Sequence, residues 1–316
     1  MKKLVLSKRG ANNVARPTRG AALAARAKVL LYAASPINNP RPGDTEKFTD
    51  LVDRNGRNLI AQEYNEEKWA KAAAAALDVM KLEGGTRYEL YHKSASEQVG
   101  TGYLPTLPPY DDGNFVNKSW PDGYKDIDPY ESYRSLFNGN VNASDNPELI
   151  FTRGQNQSTE GINVMVRHQL PRAANGWNTH GLTQKQCDAY YMKDGKNCPG
   201  KDSEYIDYPA YAKRIDPNPR AEGFVTDENK DQYPELGNNR VGVSMQYVGR
   251  EPRFYASVAY NGSTWYLLNE PNDANKDKQI FYYRGGGNGY TNTMFWLRTG
   301  IGVMKFVHPD DTNRDA

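Results

Sequence analysis

The sequence predicts a mainly α fold, in which a helical scaffold carries a large loop-rich lobe with short strands and a β-hairpin. An alanine-rich amphipathic pattern occurs twice within the first 92 residues, which predicts the scaffold. Gly, Pro, Asp and Tyr dominate long stretches of the remainder, which predicts the lobe. We therefore expect a helical segment over residues 1–92 and a loop-rich lobe over residues 93–316.

The first predicted helix begins after Thr18 and ends at Ser35. The Thr18 hydroxyl can cap the first turn, and Pro36 prevents the helix from continuing. Apolar residues recur at helical spacing, so one face is expected to pack on a neighbour. That face carries Leu23, Ala27, Leu30, Leu31 and Ala34.

A second helix is predicted from Asn65 to Leu82, with Asn65 as its N-cap and Gly84-Gly85 after its end. Trp69 lies on its apolar stripe and is expected in the core. Two amphipathic helices with small residues at their contacts favour a helix–turn–helix unit of tetratricopeptide type. The polar connection between them is longer than such a repeat normally has.

Brief elements are predicted within the lobe. A short helix is expected at Ser132–Phe137, a buried strand at residues 146–152 and a loop over residues 153–181. A further helix is expected to begin after Thr183 and to stop at Gly195.

A strand and a hairpin are predicted near residue 260. Apolar residues alternate from Phe254 to Tyr260, and Asn261-Gly262 is a strong signal for a two-residue hairpin turn. Trp265 would lie on the second strand, in the core. The glycine-rich stretch at residues 285–289 lacks the Lys-Ser/Thr of a phosphate loop and is interpreted as a hairpin tip.

The bulk composition excludes some functional classes. The chain has 40 basic and 38 acidic residues, and a net charge of +2 gives no reason to expect nucleic acid as a partner. None of the four histidines pairs with another at i, i+4, so the pattern predicts no metal centre. No nucleophile elbow or protease cysteine motif occurs, and no catalytic residue or cofactor is predicted.

Two cysteines, Cys187 and Cys198, lie eleven residues apart. A disulfide closing this short loop is possible in an exported protein. Two thiols are an equal alternative, because spacing does not establish that the sulfurs can meet.

Twenty-two tyrosines and five tryptophans suit a ligand that stacks on rings, but on composition alone a loop-rich protein that uses tyrosine in its core is slightly favoured. A sugar offers one apolar face and a rim of hydroxyls, so its site needs aromatic faces beside amide or guanidinium groups. Residues 167–180 combine Arg167, Asn175 and Trp177 in this way, although Trp177 packed under its own loop is an equal alternative. Further candidates for substrate binding are Tyr110, Trp120 and Trp296.

Several blocks also resemble one family. The stretch from Arg16 to Asn39 is similar to R-x-T-x-G-A-A-L-A followed by R-V-L-L-Y-A-A-S-P-x-x-N, the signature of the SusD/RagB family. Four later blocks resemble its conserved segments in the same order. They are W-x-K-A-A from Trp69, N-P-E-L-I-F from Asn146, T-Q from Thr183 and R-E-P-R-F from Arg250.

The resemblance implies an outer-membrane nutrient-binding lipoprotein of Bacteroidetes, partnered by a TonB-dependent SusC-like transporter. It implies capture of a glycan, or of a peptide, without catalysis. It transfers no ligand residue, because family ligand contacts come from variable loops. A glycoside hydrolase and a purely structural lid on the transporter remain alternatives. The chain also lacks the lipobox cysteine and the last helices of the family, so we expect an internal fragment, truncated at both ends.

Overall fold

The computed structural model describes residues 10–44, 48–95, 117–152, 161–201, 204–205, 214–215, 218–290 and 295–312. The chain divides into two compact units. The first comprises residues 1–91 and 142–155, and the second comprises residues 92–141 and 156–316. The predicted division at residue 92 into two parts of one domain stays a prediction.

Two helices form the first unit, and both were predicted. Helix α1 spans Arg19–Ala34 and helix α2 spans Glu67–Met80. The Thr18 hydroxyl accepts a hydrogen bond from the amide of Ala21 at 3.1 Å, so the predicted cap is confirmed. At α2 the N-cap is Glu66 rather than the predicted Asn65, although the Asn65 side chain accepts from the Glu67 amide at 2.9 Å.

The two helices pack against each other, and the residues that they bury are small. The buried positions are Gly20 and Ala34 on α1 and Ala72 and Ala75 on α2. Trp69 contradicts its prediction, because 39% of its surface is exposed. The apolar stripe of α2 is wider than the row of alanines that the helix buries. Trp69 lies at the edge of that stripe, where its large side chain contacts solvent.

The strand predicted at residues 146–152 is wrong. Asn146 begins a turn in which its side chain accepts from the Glu148 amide at 2.9 Å, and the Leu149 amide donates to the Asn146 carbonyl. An Asn-Pro start favours this turn over extended backbone. Phe151 is 49% exposed rather than buried.

Four short helices and six short strands are described in the second unit. The helices are α3 (Pro129–Arg134), α4 (Ile162–Gln169), α5 (Gln184–Asp188) and α6 (Pro252–Ser257). The strands are β1 (Glu204–Tyr205), β2 (Arg214–Ile215), β3 (Val258–Ala259), β4 (Ser263–Trp265), β5 (Lys278–Ile280) and β6 (Gly302–Val303). They pair as three antiparallel two-stranded sheets, β1 with β2, β3 with β6, and β4 with β5.

Two predicted helices differ in their bounds. Helix α3 begins three residues earlier than expected, because Asp128 caps it by accepting from two backbone amides at 3.0 Å. Helix α5 is capped by Thr183 as predicted, but it ends at Asp188, well before Gly195.

The segment from Phe254 to Tyr260 corrects the predicted strand. It begins as helix α6, with Pro252 in the first turn, and becomes extended only at β3. Every residue of this segment is buried, so the sequence has no polar face whose spacing would distinguish a helix from a strand.

The predicted hairpin at Asn261-Gly262 is also wrong. The turn itself forms, with φ of +86° at Gly262, but β3 and β4 on either side of it pair with other strands. Residues 285–289 form no hairpin tip either, because the described residues between β5 and β6, 281–290 and 295–301, include no strand. Trp265 is buried on β4, as expected.

Two apolar clusters form the core of the second unit. The first surrounds α6 and includes Phe254, Tyr247, Tyr260 and Leu236. The second lies beneath the segment that carries Trp177. Its buried members are Leu170, Ala174, Ala259, Trp265, Leu267, Ile280, Tyr282, Leu297 and Val307.

Candidate functional site

Helix α4 and the chain that follows it build the candidate site. Pro171 ends the helix, because a proline disfavours helical backbone in the residue before it. The chain then folds back along α4, and the Trp177 amide donates to the Arg167 carbonyl at 2.7 Å. The loop predicted over residues 153–181 is therefore wrong for α4, and Arg167 lies on a helix.

The reversal depends on an Asn-Gly pair. Asn175 adopts the left-handed conformation, with φ of +59°. A Cβ on Gly176 would lie 2.2 Å from the Leu170 carbonyl oxygen, so only glycine fits between the two passes of chain. Leu170 and Ala174 fix this reversal on the second core cluster.

Trp177 lies in a group of rings on this reversal. Its ring stacks on Phe295, with centroids 5.1 Å apart and planes at 19°. The edge of His168 meets it at 4.6 Å, and the Arg167 guanidinium lies 5.3 Å from its centroid. Trp177 is therefore half-buried, and Phe295, at 39% exposure, presents a face of the pair to solvent.

A second aromatic pair follows Phe295 in the chain. Tyr290 meets Trp296 edge to face at 4.9 Å, and the Arg298 guanidinium lies 4.5 Å from the Trp296 ring. Tyr290 is 39% exposed. We call Trp177, Phe295, Tyr290 and Trp296 together the aromatic surface.

Arg172 joins the segments that carry the aromatic surface. It donates to the carbonyls of Gly287, Gly289 and Phe295, at 3.0 Å for Gly287 and 3.1 Å for Phe295. Burial lowers the pKa of its guanidinium from the ordinary value. Buried Asn178 adds a bond to the carbonyl of Asn288 at 2.7 Å.

A histidine pair borders Trp177. The rings of His168 and His180 stack at 4.9 Å, and His168 Nδ1 lies 2.5 Å from the Thr179 hydroxyl. Partial burial, and then the neighbouring His168, lower the pKa of His180 below its usual 6.5. The His180 ring is therefore expected to be neutral near pH 7.

The structure brings together some of the predicted site residues. Trp177, Arg167 and Asn175 lie on the reversal, and Trp296 follows Phe295, the stacking partner of Trp177. Trp120 instead stacks on His92 at 5.6 Å. Tyr110 lies outside the described residues. None of these residues has been tested as a ligand contact, so their role stays a prediction.

The two cysteines are buried and are recorded as thiols rather than as a disulfide. Burial, and then the charge of Asp188, raise the pKa of the Cys187 thiol to about 12. The possible bridge is thus not formed in this structure, and the disulfide stays a prediction.

Sequence reasoning missed Phe295, Tyr290 and the joining role of Arg172. Phe295 and Arg172 act through contacts that span more than a hundred residues of chain, and no local pattern marks such a contact. The one available signal was the concentration of rings and glycines between residues 281 and 297.

Within the described part of the chain, no group of three or more His, Cys, Asp or Glu side chains is placed to hold a metal ion. The helices there are too short or too polar for any of them to cross a membrane. The geometry offers rings, guanidinium groups and backbone amides for non-covalent contact.

Known proteins resemble the chain in sequence and in fold. It is similar to the solved structure of BT4246, with a TM-score of 0.58 and 23% identity over 96% of this chain and 46% of that one. Selenomethionine BT4246 gives 0.53 and 22% over 93% and 46%. A SusD-like protein (BF3747) from Bacteroides fragilis NCTC 9343 gives 0.49 and 21% over 98% and 40%.

The chain spans less than half of the length of each of these three proteins. No curated protein matches it. The SusD family model matches residues 135–316, which is more than half of the chain and includes the whole aromatic surface. The chain therefore belongs to the SusD family.

Proposed function

We propose that this protein binds a glycan non-covalently through the aromatic surface, as part of nutrient uptake at the outer membrane. Membership of the SusD family supports glycan binding as the general activity. The observation that carries the proposal is the exposed Trp177–Phe295 stack, with a guanidinium group 5.3 Å from the tryptophan ring.

The chemistry of the aromatic surface fits a sugar. Ring faces take the apolar face of a pyranose, while guanidinium and amide groups donate to its hydroxyls. The faces belong to loops, and Arg172 and the second core cluster hold those loops in place. Such a prepared surface loses less conformational freedom on binding than a mobile loop would.

We further propose that the whole protein is a surface lipoprotein that delivers its ligand to a SusC-like TonB-dependent transporter. We also propose that α1 and α2 belong to a tetratricopeptide-type scaffold. Both statements rest on the family and on the helix pair, and the chain itself contributes the aromatic surface.

The test is a retardation screen in native gels that contain single polysaccharides, with reducing sugar measured in parallel. The proposal predicts retardation by at least one glycan without release of reducing ends. Release of sugar would instead indicate a glycoside hydrolase. Binding of peptides alone would indicate peptide uptake, and binding of no soluble ligand by the folded chain would favour a lid.

A further inference from the structure

The segments that build the aromatic surface have an unusual charge. Residues 161–182 and 281–301 contain four arginines and two histidines but no aspartate or glutamate. At the chain's average of 38 acidic residues in 316, about five would be expected there. The chain as a whole has a charge of only +2, so positive charge is concentrated in these two segments.

Two of the guanidinium groups lie against the rings themselves. Arg298 is 4.5 Å from the Trp296 centroid, and Arg167 is 5.3 Å from that of Trp177. An arginine against a ring is held in orientation by the ring face, while its N–H edge can donate two parallel hydrogen bonds to a carboxylate or a sulfate. Arg172 adds a third positive charge, held by backbone carbonyls.

We propose that the ligand of the aromatic surface is an anionic glycan, with uronate carboxylates or sulfate esters spaced along the chain. This inference rests on the proposed glycan binding and names the class of glycan. A guanidinium group can donate to the hydroxyls of a neutral sugar, but only an anionic sugar also gains charge-assisted, bidentate pairing with it. An anionic sugar would stack on Phe295 or Tyr290 and pair with Arg298 or Arg167, so that charge-assisted hydrogen bonds add to the ring contact.

Matched pairs of polysaccharides test the inference in native affinity gels. Polygalacturonate is compared with its methyl-esterified form, and dextran sulfate with dextran; starch, xyloglucan and galactomannan complete the panel as neutral glycans. We expect the charged member of at least one pair to bind at least about ten-fold more tightly, as for a charge-assisted contact. This difference should shrink between 0.05 and 0.5 M salt, over which screening becomes strong.

The two pairs distinguish the sources of charge. A preference for polygalacturonate over its methyl ester indicates recognition of carboxylates, and a preference for dextran sulfate over dextran indicates recognition of sulfate esters. The inference is overturned if the strongest binder is neutral, or if charged and neutral members bind equally. Glycan binding itself would survive that result. If no polysaccharide retards the folded chain, the proposed function fails along with the inference.

Variants separate a specific site from general attraction of a polyanion. Arg298→Gln should weaken binding of the preferred anionic glycan about ten-fold. Arg54→Gln removes the same charge from an exposed position in the first unit and should leave the affinity within two-fold, roughly the effect of a distant screened charge. Equal losses in both variants would mean that net charge alone drives binding, which overturns the assignment to this surface.

Discussion

Replacing Arg172 by alanine should loosen the aromatic surface. The substitution removes the donors that hold the carbonyls of Gly287, Gly289 and Phe295. A hydrogen bond to a charged group contributes roughly 1.5–3 kcal/mol, but Arg172 is only half-buried and water can replace part of what is lost. We therefore expect a loss of about 2 kcal/mol in the free energy of unfolding.

Thermal and urea unfolding measure this loss. About 2 kcal/mol corresponds to a fall in Tm of roughly 4–8 °C for a unit of this size. Arg172→Lys keeps the charge but cannot reach three carbonyls at once, so it should lie between wild type and Arg172→Ala. Arg54→Ala, at an exposed site, is the control and should stay within about 0.5 kcal/mol. An Arg172→Ala protein as stable as that control would refute the joining role.

Three further predictions concern the same unit. Gly176→Ala should lower the free energy of unfolding by about 1–3 kcal/mol, since the new Cβ would lie 2.2 Å from the Leu170 carbonyl oxygen. Gly287→Ala, whose Cβ would have nothing within 4 Å, should leave stability unchanged. Equal urea midpoints for the two variants would contradict this prediction. Because the pKa of His180 is lowered in the folded protein, the native state keeps its full stability above pH 6.5 and loses stability as the pH falls towards the folded-state pKa of this ring. Tm should therefore fall less steeply from pH 7 to 5 in His180→Gln than in wild type. Parallel curves of Tm against pH would count against the stacked pair. In a Cys198→Ser background, Cys187 should resist iodoacetamide at pH 8 until urea unfolds the chain, because burial raises the pKa of its thiol to about 12. Rapid labelling of the folded protein would show an accessible thiolate and contradict this prediction.

The helices that follow local rules could be predicted. Thr18 and Pro36 set the limits of α1 within a few residues, because capping and the proline restriction act over three or four positions. Helix α5 shows the boundary of this reasoning. Its cap at Thr183 was predicted, but its end was not, because the packing of Cys187 and Asp188 ends the helix before any glycine is reached.

The segment around α6 could not be predicted from its pattern. Phe254, Tyr255 and Ala256 are all buried, so helix and strand would give the same apolar sequence. Tertiary packing decides between them, with Pro252 starting a helical turn. The same limit explains why the predicted hairpin does not form. β3 pairs with β6 and β4 pairs with β5, so tertiary packing and not the local turn decides their partners.

At the candidate site, the local composition singled out residues 167–180 but not the rest of the aromatic surface. The mixture of Arg167, Asn175 and Trp177 selected a segment that carries part of the aromatic surface, and its role in binding stays a prediction. Phe295, which stacks on Trp177, and Arg172, which holds its backbone, act through non-local contacts that the sequence does not encode locally.

The aromatic surface is tested most directly by Phe295→Ala, measured by affinity electrophoresis in the glycan that retards wild type most strongly. Removing about 60 Å² of apolar contact at about 25 cal/mol/Å² costs about 1.5 kcal/mol, or about ten-fold in affinity. Trp69→Ala, a ring of equal exposure on α2, is the matched control and should bind like wild type. Retardation lost in Phe295→Ala and kept in Trp69→Ala would support the account. Undiminished retardation of a folded Phe295→Ala protein would contradict it.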